Sequence, residues 1–361
     1  MRELIVVRPL CEIQGWNRRM EDVLGDILEE LDREGTDITL VEKASELQYT
    51  SMRDRHVLFA VSLTEAGVNM EYYRMLEYFR SNPDCLEGSS GGILVDGQSE
   101  LFTKALARRL AFSANASGCT FPGRPLVEAT GDLKNFHVLS GICKVDLETV
   151  YEQQVRDLVH RIRDFGSESA PVSDGSERIK VLAVHASSRK TSNTLLLWDK
   201  VRRNIEYRAE ITEISLSEGV IRDCRGCKYE DCLHFGEQGR CFYGGIITEQ
   251  VYPALMEADA LVMICPNYND ALNANLTAFI NRLTALYRAH DFSRKKIYAL
   301  VVSGYSGGDI VSEQIIGALN FNKGMILPGK FAMVETANDP MSILEVPEID
   351  AKAATYANRI V

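Results

Sequence analysis

Short apolar runs rich in β-branched residues recur along the chain, and longer stretches with apolar residues every three or four positions follow them. The first pattern reads as a buried strand, the second as an amphipathic helix. In the C-terminal half it predicts strands at 179–185, 211–215, 260–265, 296–303 and 330–335. Helices are expected at 190–205, 247–257, 273–288, 309–319 and 349–359. The N-terminal half repeats the scheme, with strands at 4–7, 39–41, 56–61, 92–95 and near Leu126 and helices at 17–33, 68–80 and 100–114. Strand and helix in alternation imply a parallel sheet covered by helices on both faces. Residues 166–178 are small, polar and contain Pro and Gly, so they read as a linker. The expected domains are 1–165 and 179–361.

Sliding one half along the other by 206 positions superposes Asn69 on Asn275, Leu94-Val95 on Leu300-Val301, Gly118 on Gly324 and Pro122-Gly123 on Pro328-Gly329. Any two α/β domains share some spacing, but a constant offset that keeps a Gly…Pro-Gly turn favours a degenerate internal duplication. The expected fold class is therefore α/β, with two flavodoxin-like doubly wound parallel-sheet domains. A chain of 361 residues suits two such domains. The net charge of −11 argues against nucleic acid or an anionic membrane as partner. No run approaches the about 20 apolar residues that span a bilayer. Nine cysteines, an odd number without a secretion signal, point to a reducing cytoplasm.

Candidate chemistry concentrates in the second half. His185-Ala186-Ser187-Ser188-Arg189-Lys190-Thr191-Ser192-Asn193-Thr194 joins a strand to a helix and is crowded with hydroxyls. A helix cap needs one or two such side chains, whereas a phosphate needs many short donors at a helix N-terminus. No Walker loop and no G-x-G-x-x-G fingerprint occurs.

This segment resembles the S-x-R-x-x-S-N-T phosphate loop of the NADPH-dependent FMN reductase and iron–sulfur flavoprotein group. Three further blocks match in order: a Cys-x-x-Cys region, Ala258-Asp259 ahead of a strand ending in Pro266-Asn267-Tyr268, and the Phe279…Arg282 helix. Ala186, Ser188, Thr277 and Asn281 depart from the group's usual residues. The resemblance implies that Ser187, Arg189, Thr191, Ser192, Asn193 and Thr194 hold the phosphate of FMN. It implies that Pro266, Asn267, Tyr268 and Asn269 border the ring system, and that Ser303, Gly304, Tyr305, Ser306, Gly307 and Gly308 cover its other edge. All three loops follow strands and so share the carboxyl edge of the sheet, where open α/β folds bind ligands. Tyr268 and Tyr305 are the candidates for proton donation.

Gly304-Tyr305-Ser306-Gly307-Gly308 also fits the G-x-S-x-G nucleophile elbow of hydrolases. That order requires a histidine after the serine, and the last histidine is His290. Cys224, Cys227, Cys232 and Cys241 lie close enough in sequence to converge on a [4Fe–4S] cluster or on zinc. Iron–sulfur flavoproteins carry a tighter run, and free or redox-active thiols are the remaining alternative. The six histidines show no metal spacing, although His185 lies within reach of the flavin phosphate. The first half has Arg8 to Asn17, including Glu12, where the phosphate loop would stand, and is expected to bind no flavin.

The expected protein is a cytoplasmic FMN-dependent oxidoreductase. It would pass electrons from NAD(P)H, or from a cysteine-bound cluster, to a quinone, a flavin or another small acceptor. The alternative is a non-enzymatic electron carrier or redox sensor. A homo-oligomer or an electron-transfer protein completes the expected partners.

Overall fold

The structure, a computed structural model, describes residues 3–11, 18–166, 178–187, 191–217 and 220–361. The predicted linker lies outside these residues apart from its two ends. So do Ser188, Arg189 and Lys190 of the phosphate loop, and Glu12 to Asn17 of its counterpart in the first half. Two compact units emerge, residues 1–170 with 328–330, and residues 171–327 with 331–361.

In the first unit, strands β1 (Leu4–Val7), β2 (Ile38–Val41), β3 (His56–Ser62), β4 (Ser90–Asp96) and β5 (Leu126–Ala129) form one parallel sheet in the order β2-β1-β3-β4-β5. In the second, β6 (Ile179–His185), β7 (Ala209–Ser215), β8 (Ala260–Pro266), β9 (Lys296–Ser303) and β10 (Ala332–Thr336) give the order β7-β6-β8-β9-β10. Both are the flavodoxin-like 2-1-3-4-5 order, so the expected fold class holds for each unit. Strands β4 and β8 are buried along their whole length, as a parallel sheet covered on both faces requires. Among the described residues no helix is long and apolar enough to cross a membrane.

The helices packed on equivalent faces confirm the likeness of the two units. In the first, α1 (Arg19–Arg33) and α6 (Leu147–Asp164) bury Leu24, Ile27, Val155, Leu158 and Ile162 against Leu4, Val6, Leu58 and Leu94. In the second, α7 (Asn193–Ile205) and α12 (Ile349–Ile360) bury Leu197, Trp198, Val201, Tyr356 and Ile360 against Val181, Ala183 and Leu300. The pattern of the first half predicts no helix at 147–164, yet Asp146 caps one there by accepting from the Thr149 N–H at 2.8 Å. The offset of 206 recurs in the hydrogen bonds. The Gly91 N–H donates to the Thr120 carbonyl and the Ile297 N–H to the Ile326 carbonyl, at 2.8 and 3.0 Å. Gly118 and Gly324 both take positive φ, +104° and +76°, which side chains disfavour. Two of the predicted helices end differently, since 247–251 and 316–321 wind as single π-turns beside α9 (Tyr252–Glu257) and α11 (Gly308–Ile315).

The carboxyl edge of the first sheet is closed by a buried ion pair. Arg19, the first residue of α1, grips Asp96 at the end of β4 with Nε at 2.8 Å and Nη2 at 2.6 Å. The same guanidinium donates to the carbonyls of Gly131 and Thr130, both at 2.9 Å. Burial outweighs the cation and the Tyr151 hydroxyl and pushes the Asp96 carboxyl above its ordinary value. Replacing Arg19 with Met leaves a buried, uncompensated carboxylate, so Arg19→Met is expected to cost about 3 kcal/mol in urea unfolding at neutral pH. A carboxyl raised in the folded state contributes stability at low pH and loses it as pH rises through the folded value. The deficit of Arg19→Met relative to the parent should therefore shrink as pH falls toward the ordinary carboxylate range; a deficit independent of pH contradicts this assignment.

Candidate flavin-binding edge of the second unit

Three loops leave the carboxyl ends of β6, β8 and β9. The first runs from β6 into α7. Ser187 is buried, and its hydroxyl has no hydrogen-bond partner among the described residues. Ser192 precedes the helix without a side-chain cap, and its hydroxyl and that of Thr194 bond each other at 2.9 Å. The first helical bond runs from the Leu196 N–H to the Ser192 carbonyl at 3.0 Å, so the N–H groups ahead of it have no intrahelical acceptor. Thr191 is exposed beside them. A buried hydroxyl without a partner, in the loop that leads to an uncapped helix N-terminus, fits a phosphate group. Asn193 has another task. Its amide donates to the carbonyls of Ala337 and Asp339 at 3.0 and 2.9 Å, and its oxygen accepts from the Ile343 N–H. It thus ties the segment after β10 to the helix start instead of offering its side chain to a phosphate. Arg189 lies outside the described residues.

The second and third loops are laced together by one side chain. The Asn267 amide donates to the Ser303 hydroxyl at 3.1 Å and to the Ser306 carbonyl at 2.8 Å, while its buried oxygen has no partner among the described residues. After Pro266 closes β8, Tyr268 and Ala271 pair across a tight turn whose central residues, Asn269 and Asp270, both have positive φ. Two left-handed residues in succession mark a type I′ turn, and Asn and Asp tolerate that conformation. Gln314 on α11 clamps the turn by donating to the Asp270 carbonyl at 3.0 Å and accepting from the Leu272 N–H. Gly304 lets the Asn338 side chain approach its backbone, and Gly307 at φ +84° starts α11. Tyr268 and Tyr305 stand 56% and 81% exposed, which leaves both rings free for a planar ligand. The strained residue of the G-x-S-x-G segment is Gly307 and not Ser306, so the nucleophile elbow is not formed.

Beneath the first loop lies a polar group. His185, buried at the end of β6, places Nδ1 3.1 Å from the Ser187 carbonyl and Nε2 3.5 Å from Glu213 Oε1. Trp198 Nε1 donates to Glu213 at 2.9 Å, and Arg202 stands 3.6 Å away. The hydrogen bond from His185, then the Trp198 donor and the Arg202 charge, hold the Glu213 carboxyl below its ordinary value against burial. Neither Glu213 nor Gln314 was legible as a functional residue, because each acts through a neighbour that only the fold brings near.

The cysteine segment is strapped across α10 (Ala274–Ala289). Asn275 donates to the Leu216 carbonyl at 2.6 Å and Asn281 to Asp223 at 2.9 Å. Arg282, buried, donates to the Gly244 carbonyl and the Thr248 hydroxyl at 2.8 and 2.9 Å. Within this strap α8 (Tyr229–Glu237) packs so tightly that a Cβ on Gly236 would fall 2.1 Å from the Ala285 carbonyl oxygen. Burial pushes the Cys232 thiol up, Arg288 opposes that, and Cys224, Cys227 and Cys241 add to the rise, so the four thiols feel one another. They do not form the expected ligand set. Among the described residues no three His, Cys, Asp or Glu side chains are placed to hold a metal ion. The four-residue gap after Cys227 carries Cys232 into the first turn of α8, while Cys224 faces solvent. As arranged, Cys224, Cys227, Cys232 and Cys241 do not fit a cluster or zinc.

Comparison with known proteins bears on this unit. No curated protein matches the chain. Among solved structures, Smu.1420 from Streptococcus mutans UA159 shares 16% identity over 51% of this chain and 100% of its own, with a TM-score of 0.38. An NAD(P)H:quinone oxidoreductase from Methanothermobacter marburgensis shares 14% over 51% and 100%, with a TM-score of 0.37. An FMN-dependent NADH-azoreductase from Bacillus anthracis str. Ames Ancestor shares 13% over 50% and 99%, with a TM-score of 0.34. Likenesses this distant support no functional conclusion. The family model reaches further, for residues 179–339 of the chain match that of the NADPH-dependent FMN reductases, the family that the loops of the second unit resemble.

Proposed function

We propose that the chain is an NAD(P)H-dependent, FMN-containing oxidoreductase of the cytoplasm that delivers electrons to a small acceptor such as a quinone or a free flavin. The observation that carries this reading is the buried Ser187 hydroxyl, unpartnered among the described residues, in the loop between β6 and the uncapped start of α7. When bound, FMN would supply acceptance of a hydride from the nicotinamide and onward delivery of the electrons. The chain's own groups bind and orient. Ser187, Thr191, Ser192 and Thr194, with Arg189, hold the phosphate, and Asn193 braces the loop from behind. Pro266, Asn267, Tyr268 and Asn269 border the ring on one side, and Ser303, Gly304, Tyr305 and Gly307 on the other. Tyr268 and Tyr305 hold protons at their phenolic oxygens for the acceptor. The first unit is read as flavin-free, because Arg19 and Asp96 fill its corresponding edge with a mutually satisfied pair.

Purified protein should show the two visible absorption bands of oxidised flavin and oxidise NAD(P)H when a quinone or flavin acceptor is added; colourless protein that cannot be loaded with FMN overturns the main reading. In Gly307→Ala the new Cβ would meet Asp270 Oδ1 at 1.9 Å and Asn267 Nδ2 at 2.8 Å, in a backbone conformation that alanine disfavours. This variant should bind FMN at least tenfold more weakly, with about 1–2 kcal/mol lost in thermal unfolding. Tyr268→Phe should keep FMN affinity but lower kcat by about a hundredfold if its hydroxyl supplies the proton. An unchanged kcat would place proton supply elsewhere.

A further inference from the structure

The turn that follows β8 carries a residue that does not suit it. Tyr268 and Ala271 face each other across it, and its central residues, Asn269 and Asp270, hold φ of +54° and +56°. A two-residue turn of this kind favours Asn followed by Gly, because glycine takes the left-handed conformation without penalty. Here aspartate fills the second place. The turn's own closing bonds do little to offset that cost. The Tyr268 N–H stands 3.4 Å from the Ala271 carbonyl and the Ala271 N–H 3.2 Å from the Tyr268 carbonyl, at or beyond the long end of the usual range.

The turn is held from outside. Gln314 Nε2 donates at 3.0 Å to the carbonyl of Asp270, the misfit residue, and Gln314 Oε1 accepts from the Leu272 N–H at 3.1 Å. Both ends of the amide are used, one as donor and one as acceptor. Gln314 belongs to α11, the helix that continues the β9 loop from Gly307 onward. That loop carries Tyr305, and the β8 turn carries Tyr268, both exposed. The two walls of the ring site are therefore tied twice. Asn267 ties them where β8 ends, through Ser303 and Ser306, and Gln314 ties them at the turn itself.

Resting on the reading of the second unit as an FMN site, we propose that Gln314 is a positioning residue for the flavin ring. It keeps Asp270 in the left-handed conformation and so holds the 268–271 turn in place before the flavin arrives. A pre-formed site loses no affinity to ordering its own backbone. Without Gln314 the Asp270 backbone is free to take negative φ, and flavin binding must order the turn. The strain belongs to a side chain at position 270, so glycine there removes the need for the clamp.

The test is a double-mutant cycle on the flavin-free full chain, titrated with FMN and with the phosphate-free riboflavin and followed by quenching of flavin fluorescence. Gln314→Leu should weaken FMN about tenfold. Riboflavin should weaken by the same factor, since the clamp acts on the ring side alone. In the Asp270→Gly background, Gln314→Leu should weaken FMN by no more than about twofold. Gln314→Glu keeps the acceptor for Leu272 and loses the donor to Asp270; it should show the larger part of the loss and serves if Gln314→Leu fails to fold. A parent that binds neither flavin overturns the FMN reading and the inference with it. A parent that binds FMN no more tightly than the Gln314 variants overturns the role of Gln314 alone. So does a loss that persists undiminished in the Asp270→Gly background, because general damage to the packing of α11 would not depend on the residue at 270.

Discussion

In a parallel sheet every strand must be re-entered from the same end, so each connection crosses back over a face, usually as a helix. That constraint places every strand-to-helix loop of a unit at one edge. In the second unit it brings together the ends of β6, β8 and β9, whose loops are far apart in sequence. The long-range ties then follow. Asn267 can reach Ser303 and Ser306 only because β8 and β9 are neighbours in register, with Pro266 opposite Val302.

The same edge is used in opposite ways by the two units. In the first, the start of α1 supplies Arg19, and its guanidinium is consumed by Asp96 and two backbone carbonyls. In the second, the loop ahead of α7 supplies short hydroxyls, and that of Ser187 is buried without a partner among the described residues. A satisfied charge pair is a structural device, whereas an unsatisfied buried hydroxyl is costly unless a ligand completes it. The fold is the same, but at this edge Arg19 and Asp96 satisfy each other in one copy, while in the other the Ser187 hydroxyl has no partner among the described residues.

The cysteine segment shows how spacing can mislead. Four cysteines within 18 residues invite a common centre, yet a helix begins between the second and the third. Helical rise and side-chain direction then decide where Cys232 points, and sequence distance does not. The π-turns at 247–251 and 316–321 are similar in kind. Each inserts a residue into a helix whose periodicity otherwise reads as regular.

The sequence by itself determined the strands, the class of fold, the repetition at an offset of 206 and the hydroxyl-rich loop ahead of α7. Each of these rests on local periodicity or on residue types close together in the chain. It also held the signal of α6, an Asp cap followed by buried positions at 150, 151, 155, 158, 159 and 162, although the pattern is diluted by charged residues. Only the tertiary structure decided that Asn193 braces the segment after β10, that Gln314 clamps the 268–271 turn, that Arg19 closes the first sheet, and that Glu213 stands behind His185. Those roles depend on contacts between residues far apart or on different elements. A hydrogen bond is decided by distances of a few tenths of an ångström, which only the packed sheet and its helices set.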